Sequence, residues 1–440
     1  MASAVVAGDA VVTADPRRRI LQPGWVAFDG GVITAVGEGA PRTAPDARGG
    51  VIMPGLVSAH QHLVDALVHG GPTGPAFLDW LLGTYHAGLA HARADECAAA
   101  IAVVRAMGLA GGVTTVVDCW SVGPVDDPRR VEHCADASIT AHLASGGRTV
   151  FAPMFCEVVP DGWPGDRGID PARLCRPIGE SLGWIESLAT RWVAADGRLM
   201  VTPSPELPET STAAGLRAAH ALAARLGAVL PIHLCASPPS RAAFGPADAA
   251  ALGILDGRML AAHCSAVDDV DVGVLGAAHV GVAHCPSASM AMGAEVFTPL
   301  ARLRQAGATG GLGLDNASLH WGGDLFEEAR RARTAAVRMG APLDAATLLD
   351  LLTIEGATAA GLASTIGSLE VGKRADLVVL DTSGAHWAAG APWPAAILDC
   401  ARTSDVRAVY VDGRRLDPDP APHLAGLTAA QARIRALMPW

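Results

Sequence analysis

The chain has 440 residues, of which 50% are hydrophobic and 4% aromatic, and its formal net charge is −11. Such a length allows one large domain or two modest ones, and the hydrophobic fraction is sufficient for a buried core. The negative charge and the lack of any Lys/Arg-rich tract argue against nucleic acid and against an anionic membrane surface as partners.

Nine cysteines occur without a C-x-x-C pair, a pattern that disfavours a disulfide framework and a thiolate zinc site. The first residues lack the basic-then-apolar order of a signal peptide, and no apolar run approaches about 18 residues. We therefore expect a cytoplasmic protein with reduced thiols and no membrane span.

Both ends of the chain have the pattern of short strands joined by turns that contain Gly and Asp. Residues 1–53 include AVVAGDAVVTAD and WVAFDGGVITAVG, and residues 366–440 include GSLEVGKRADLVVLD and VRAVYVDGRRL. Two such segments flanking a long α/β middle predict one small β-sandwich-like domain assembled from both termini.

Residues 54–365 alternate short apolar runs with Ala/Leu/Arg-rich stretches of helical spacing. This alternation predicts a parallel (β/α)8 barrel. A doubly wound open sheet also alternates, but it usually carries a Gly-rich phosphate loop after its first strand, which this chain lacks. The predicted barrel strands are 56–60, 113–119, 149–155, 199–205, 229–234, 259–264, 280–285 and 309–315.

Polar residues concentrate at the ends of these predicted strands, where the catalytic residues of such barrels collect. A single His at the end of an apolar strand is commonly a core residue. Four His and one Asp on the same face of the barrel indicate a functional site instead. These residues are His60, His233, His263, His284 and Asp315.

The sharpest motif is His60-Gln61-His62. Residues two apart on a strand point the same way, so both imidazoles can bind one ion. With His233 and Asp315 they form a set of three imidazoles and one carboxylate, which suits zinc first and iron second. The set leaves one position for a water, so we expect a catalytic site with a metal-bound hydroxide as nucleophile.

The remaining strand-end residues are predicted to act on the substrate. Asp315 is placed to accept the proton of the attacking water, and His263 and His284 to contact that water or the substrate. Two tryptophans offer flat faces for a heteroaromatic ring. The predicted substrate contacts besides His284 are Glu206, His320, Trp80 and Trp120.

Taken together, these motifs resemble the amidohydrolase superfamily, in particular the branch of cytosine deaminase, guanine deaminase and chlorotriazine hydrolase. PGLVSAHQH is similar to the first-strand metal motif of that branch, GGVTTVVDC to its second strand, and AHC, HCPSASMAMG and GLGLDNAS follow in the expected order. The resemblance covers nearly the whole chain. It implies one divalent metal per chain on His60, His62, His233 and Asp315, with His263 beside the metal-bound water, and a homodimer.

One position departs from the family pattern. The fifth-strand His is normally followed three residues later by a Glu that transfers a proton to the leaving group, and here that position is Ala236. General acid–base catalysis typically contributes about 10²–10⁴-fold. Either another residue takes the role, or the leaving group needs little protonation, or the barrel is inactive. The candidates for the first case are Glu206, Cys235, Ser237 and His320.

The predicted function is metal-dependent hydrolysis of a C–N bond in a small nitrogen heterocycle, with deamination as the favoured reaction. The alternative is a degenerate or non-deaminating barrel, which binds a ligand or expels a leaving group that needs no protonation. Ala236 motivates this alternative.

Overall fold

The computed structural model describes residues 4–72, 76–192, 197–319, 321–388 and 390–438. The first part of the chain forms a β-sheet because β-branched residues alternate there with turns. In this region β1 pairs antiparallel with β2 and β3 and parallel with β5, and β3 pairs with β4. The bounds are β1 (Ala4–Val12), β2 (Ile20–Leu21), β3 (Gly24–Asp29), β4 (Val32–Glu38) and β5 (Ala47–Pro54).

The next ten strands belong to the barrel. They are short and largely buried, as parallel strands covered on both faces must be. Their bounds are β6 (Leu56–His62), β7 (Val113–Trp120), β8 (Arg148–Phe155), β9 (Leu199–Val201), β10 (Ser204–Pro205), β11 (Leu230–Leu234), β12 (Met259–His263), β13 (Gly281–His284), β14 (Thr309–Leu312) and β15 (Asp315–Asn316).

These strands pair in parallel as two arcs that close on each other. One arc contains β6, β7, β8, β9, β10 and β15, and the other runs from β11 to β14. At one seam the Ser204 hydroxyl donates to the Pro231 carbonyl at 3.0 Å. At the other, the Leu314 backbone amide donates to the Ser58 hydroxyl at 3.3 Å. The predicted (β/α)8 barrel is confirmed, and its fourth and eighth strands are each broken into two pieces.

The chain then returns to the first sheet. The last three strands extend it to eight, in the order β18-β17-β16-β5-β1-β3-β4 with β2 beside β1. This sheet therefore combines strands from both ends of the chain. The added strands are β16 (Leu377–Leu380), β17 (Val406–Val411) and β18 (Arg414–Leu416).

Helices follow most barrel strands and cover the barrel. A π-helical segment over Leu81–His86 continues the first of them, and short 3-10 turns occur elsewhere. The helices are α1 (Phe77–Trp80), α2 (Ala87–Leu89), α3 (Ala94–Ala110), α4 (Pro128–Ser145), α5 (Ile178–Trp192), α6 (Ala213–Arg225), α7 (Pro238–Ala243), α8 (Pro246–Ala251), α9 (Asp269–Ala277), α10 (Pro286–Ala291), α11 (Leu300–Ala306), α12 (Leu325–Arg338), α13 (Ala345–Leu352), α14 (Ile354–Ala359), α15 (Trp393–Cys400) and α16 (Ala421–Leu437).

The last helix, α16, packs on the barrel instead of on the terminal sheet. Its Arg433 pairs with Glu96 on α3, and its Gln431 donates to the Ala66 carbonyl at 2.7 Å. The predicted division into residues 1–53 plus 366–440 and residues 54–365 stays a prediction. Across the described ranges, no helix has both the length and the apolarity needed to cross a membrane.

Candidate metal centre

The first barrel strand carries the centre of the site. All seven residues of β6 are buried, and the side chains of His60 and His62 lie on the same face of the strand, as their spacing predicts. Their Nε2 atoms are 3.1 Å apart, and their rings meet edge to face. The strand thus brings two metal-binding nitrogens to one point.

His233 and Asp315 join this pair. The Nε2 atom of His233 is 3.3 Å from Nε2 of His62. The Oδ1 atom of Asp315 is 3.4 Å from Nε2 of His60 and 3.5 Å from Nε2 of His62. Pairing of β15 with β6 sets Asp315 opposite Gln61 and so holds the carboxylate beside both imidazoles. The structure therefore brings all four predicted metal ligands together.

Backbone carbonyls determine which nitrogen of two imidazoles carries the proton. The Nδ1 of His62 lies 2.7 Å from the Cys119 carbonyl oxygen, and the Nδ1 of His233 lies 2.5 Å from that of Glu206. A carbonyl oxygen only accepts, so each Nδ1 donates and each neutral ring directs its Nε2 lone pair at the other. Such outer hydrogen bonds are typical of metal-ligating histidines.

This donor set fits a divalent cation. The Nε2 lone pairs of His62 and His233 and the Asp315 carboxylate are three acceptors that face one another. The imidazole of His60 could donate one N–H at most to this group, which leaves acceptors without a donor. A tetrahedral ion with bonds of about 2.0–2.1 Å holds its ligand atoms about 3.4 Å apart, close to the 3.1–3.5 Å separations here. Imidazole nitrogens with one carboxylate oxygen suit zinc or iron.

The protonation states agree with this reading. Burial lowers the pKa of His60 and of His62, and it lowers the pKa of His233 to about 4, with His263 adding to the effect. Burial alone would raise the pKa of Asp315, but the surrounding imidazoles hold it below its ordinary value. Neutral imidazoles and an ionised carboxylate are the forms that bind metal.

His263, the last residue of β12, borders the four ligands. Its ring stacks on that of His233 with centroids 5.5 Å apart, and its Nδ1 is 3.9 Å from Oδ2 of Asp315. Both His263 and Asp315 have left-handed backbone conformations, with φ of 74° and 55°. Such strain, of about 1–3 kcal/mol per residue, is concentrated at functional sites.

His284 is connected to His263 through Thr298. The Thr298 hydroxyl donates to the His263 carbonyl at 2.5 Å, so its oxygen accepts from Nδ1 of His284 at 2.8 Å. Burial, with His263 nearby, lowers the pKa of His284 to about 3. Gly313, in the break between β14 and β15, packs so tightly here that a Cβ would lie 2.7 Å from the His60 carbonyl oxygen.

Glu206 is buried beside the site, and each oxygen of its carboxylate accepts one hydrogen bond. Its Oε1 accepts from Nε2 of His86 at 2.7 Å, and its Oε2 accepts from the Cys156 thiol at 2.8 Å. Its backbone carbonyl supports His233, as described above. Glu206 therefore connects the π-helical segment that ends at His86 with a metal ligand.

The predicted aromatic contacts are placed differently. The Trp120 indole nitrogen donates to the Ser138 hydroxyl on α4 at 3.0 Å, in the layer between strand and helix. This corrects its prediction as a substrate contact, because its neighbour Cys119 faces His60 and adjacent strand residues point to opposite sides. Trp80 stays near the site, with its ring 5.6 Å from that of Tyr85. His320 lies outside the described residues.

The candidates to replace the missing glutamate differ in where their side chains lie. Ala236 is exposed on the loop after β11. The thiol of Cys235 points to the Phe244 carbonyl, 3.9 Å away, and exposed Ser237 caps α7. Of the candidates within the described ranges, only Glu206 contacts a predicted metal ligand, and it does so through its backbone carbonyl, which accepts from Nδ1 of His233.

Sequence reasoning missed three residues beside the site: Asp65, Tyr85 and His86. Asp65 lies in the 3-10 turn directly after β6, and the other two lie in the π-helical segment. The only available signal for Asp65 was its position three residues after His62. Nothing in the local pattern indicated that residues 81–86 fold back over the strand ends.

A (β/α)8 barrel with three imidazoles and a carboxylate converging at the carboxyl ends of its strands defines a metal-dependent hydrolase. Comparison with known proteins makes the class more specific. The chain belongs to the amidohydrolase family, whose profile matches residues 51–416. The predicted enzyme class, a metal-dependent hydrolase of C–N bonds, is confirmed.

Several relatives match over nearly the full length. The chain is 30% identical to a 5-methylthioadenosine/S-adenosylhomocysteine deaminase of Symbiobacterium thermophilum over 98% of this chain and 97% of that protein. It is 29% identical to a 5'-deoxyadenosine deaminase of Methanosarcina barkeri over 95% and 94%. A zinc-bound adenosine deaminase structure from Xanthomonas campestris superposes with a TM-score of 0.85 at 25% identity, covering 98% of both chains.

Proposed function

We propose that the chain deaminates the adenine ring of a nucleoside, with one zinc ion held by His60, His62, His233 and Asp315. The observation that carries this proposal is the convergence of acceptor atoms on one point, 3.1–3.5 Å apart. The named activities of the full-length relatives support an adenosine-type substrate. The inactive-barrel alternative is disfavoured, because the complete ligand set is retained.

The reaction is a hydrolysis. The oxygen of water forms a bond to the amino-bearing ring carbon, the C–N bond breaks, and the nitrogen leaves as ammonia with two hydrogens of its own and one from water. The second hydrogen of the water ends on the product, which becomes a ring carbonyl with an adjacent N–H. A zinc ion in this site would lower the pKa of a bound water to near neutrality.

The chain's own residues would position the attacking water and transfer protons between it and the substrate. Asp315, with its carboxylate beside His60 and His263, is placed to accept a proton from the attacking water. His263, buried and neutral, can hydrogen-bond the oxygen that adds to the ring. Among the described candidates we assign the role of the glutamate missing at position 236 to Glu206, whose carboxylate must exchange its bond with His86 or Cys156 for one with the substrate.

Turnover of nucleosides by zinc-loaded protein tests the proposal. We expect ammonia release from adenosine or a 5'-modified adenosine with kcat/KM of about 10⁴ M⁻¹ s⁻¹ or higher, and its loss after zinc is removed by a chelator. Restoring zinc should restore the rate. Protein that holds a full equivalent of zinc and releases no ammonia from any nucleoside would contradict the proposal.

The replacement role of Glu206 needs a separate experiment. Glu206→Gln keeps the size of the side chain and should lower kcat by about 10²–10⁴-fold with zinc content unchanged. Adding Ala236→Glu to that variant should recover part of the loss if proton transfer is the missing step. A Glu206→Gln protein with normal kcat would exclude the role.

A further inference from the structure

Asp65 is a buried carboxyl group without a hydrogen-bond partner. Its side chain is 0% exposed, and neither carboxyl oxygen has a partner among the described residues. It lies in the turn that directly follows β6, three residues after the ligand His62. A buried polar group that stays unpaired costs several kcal/mol at most sites, so such a group is retained where a ligand satisfies it.

The neighbouring acids show that Asp65 is exceptional. Asp118 accepts from His142 at 2.9 Å, and Glu206 accepts from His86 at 2.7 Å. Asp315 faces His60 and the other imidazoles of the metal centre. Each of these acids has a basic partner. Among the described residues, Asp65 has none. Burial, followed by the charges of the three neighbouring acids, raises the pKa of its carboxyl group well above its ordinary value.

Three more unpaired polar atoms lie in the segment that covers Asp65. They are the Tyr85 hydroxyl, the Trp80 indole nitrogen and Nδ1 of His86, and their side chains are 2%, 8% and 1% exposed. The Tyr85 ring lies 4.7 Å from that of His86 and 6.4 Å from that of His62. The Tyr85 hydroxyl is near enough to Asp65 to act against the rise in its pKa, yet the two do not reach hydrogen-bond geometry.

These atoms complement one kind of ligand group. Asp65 offers acceptor oxygens, the Trp80 indole offers a donor, and the Tyr85 hydroxyl offers both. Among the described residues, no Lys or Arg is near enough to shift the pKa of Asp65, so an anionic group would find no counter-charge beside it. Neutral O–H or N–H groups, which donate to a carboxyl and accept from an indole or phenol, match it.

We propose that Asp65, Tyr85 and Trp80 form a recognition subsite for the neutral hydrogen-bond donors that the substrate presents beside its reacting carbon. This inference rests on the proposed function. Adenosine presents such donors at its ribose hydroxyls, whereas a free heterocycle presents them at a ring N–H. Both sources offer the same chemistry to Asp65, and the test distinguishes them.

Paired substrates isolate each source of donors. Adenosine and 2',3'-dideoxyadenosine differ only in the sugar hydroxyls, and adenine and 9-methyladenine differ in a ring N–H. The zinc-loaded wild type is compared with Asp65→Leu, which removes the hydrogen bonds, and with Asp65→Asn, which retains an acceptor and a donor. Tyr85→Phe removes one hydroxyl alone. Zinc content and thermal unfolding verify that each variant is folded and loaded.

We expect the wild type to prefer the donor-bearing member of a pair, adenosine or adenine, by about 10–100-fold in kcat/KM, mainly through KM. Asp65→Leu should reduce that ratio to within about threefold, Asp65→Asn should retain most of it, and Tyr85→Phe should lower it by up to about tenfold. If Asp65→Leu reduces the ratio for adenosine and 2',3'-dideoxyadenosine, the subsite binds ribose. If it reduces the ratio for adenine and 9-methyladenine, the subsite binds the ring. Unchanged ratios for both pairs in Asp65→Leu would overturn the subsite.

Calorimetric titration of the same four compounds separates this inference from the proposed function. If the wild type releases no ammonia but binds one member of a pair more tightly, and Asp65→Leu abolishes that difference, the subsite stands without the deaminase activity. If it neither turns over nor binds any of the four, both proposals are overturned. A wild type that deaminates all four without discrimination overturns the subsite alone.

Discussion

Two buried polar clusters lie at opposite ends of the barrel strands, and they are built in opposite ways. At the amino end, Arg148 of β8 donates from Nε to Asp376 at 3.0 Å and from Nη2 to Asp412 at 2.8 Å. The Asp412 backbone amide also donates to Asp376 at 2.8 Å. At the carboxyl end, the metal-centre cluster of His60, His62, His233 and Asp315 is composed mainly of acceptors that face one another.

The difference separates a structural cluster from a functional one. In the first, every carboxylate has donors from the chain itself, and the cluster joins the barrel to the terminal sheet. In the second, the chain supplies ligands and leaves the cation to be bound from solution. Burial is similar in both places, so burial alone does not identify the active site. The balance of donors and acceptors does.

The largest expected effect comes from a substitution in the metal-centre cluster, whose acceptors outnumber its donors. His60→Ala should lower zinc content from about one equivalent to background and reduce ammonia release by about 10³-fold or more, since metal activation contributes several kcal/mol. Elemental analysis and a steady-state assay measure the two effects. His220→Ala, a histidine on the outer helix α6, is the matched control and should retain both. Full zinc with normal turnover in His60→Ala would refute the ligand assignment.

A substitution in the cluster of Arg148, Asp376 and Asp412 should lower the stability of the folded protein. Arg148→Leu leaves the buried Asp376 carboxylate without a cation among the described residues, while Asp412 keeps its pair with Arg374. We expect a loss of about 3–5 kcal/mol in the free energy of unfolding, measured by urea denaturation. Arg225→Leu breaks an exposed pair with Glu186, whose charged atoms are 3.0 Å apart, and should cost no more than about 1 kcal/mol. Equal losses in the two variants would show that the buried cluster is not what holds the sheet to the barrel.

Glu328, a buried carboxyl group outside both clusters, should make the stability of the protein depend on pH. Burial raises its pKa from 4.5 to about 7, although the Ser287 backbone amide donates to it at 2.9 Å. A carboxyl group with a raised pKa in the folded state binds its proton more tightly there than in the unfolded chain. Its contribution to stability is therefore complete below about pH 4.5 and is lost as the pH rises to about 7, by about 3 kcal/mol.

Comparison of the wild type with Glu328→Gln measures this effect. The variant cannot ionise, so its free energy of unfolding should increase relative to that of the wild type between about pH 5 and about pH 8. A constant difference across that range would mean that Glu328 titrates normally in the folded protein.

Much of the fold and of the metal centre was predictable from local sequence. The barrel strands match the predicted runs closely, because each strand is a short apolar segment with a terminating turn nearby. The position of His60 and His62 on one face follows from the two-residue period of a strand. Carboxyl ends of parallel strands meet at one face, so the distant His233 and Asp315 were expected beside them.

Other features depended on contacts between distant segments. The pattern around Trp120 did not reveal which face of β7 points inward, and the structure directs its indole to Ser138 on α4. Glu206 had the sequence of a loop carboxylate, yet His86 and Cys156 enclose it in the site. These outcomes depend on side-chain packing between elements far apart in the chain, which periodicity does not encode.

The sequence by itself therefore determined the class of fold and which residues are proposed as metal ligands, because strand period and parallel topology are local rules with a global consequence. Tertiary structure decided what surrounds those ligands. It folded the segment ending at His86 over the strand ends and buried Asp65 beneath it, with no hydrogen-bond partner in the part of the chain that the structure describes. The physical reason is that a hydrogen-bond deficit exists only once burial has removed water, and burial is a property of the assembled chain.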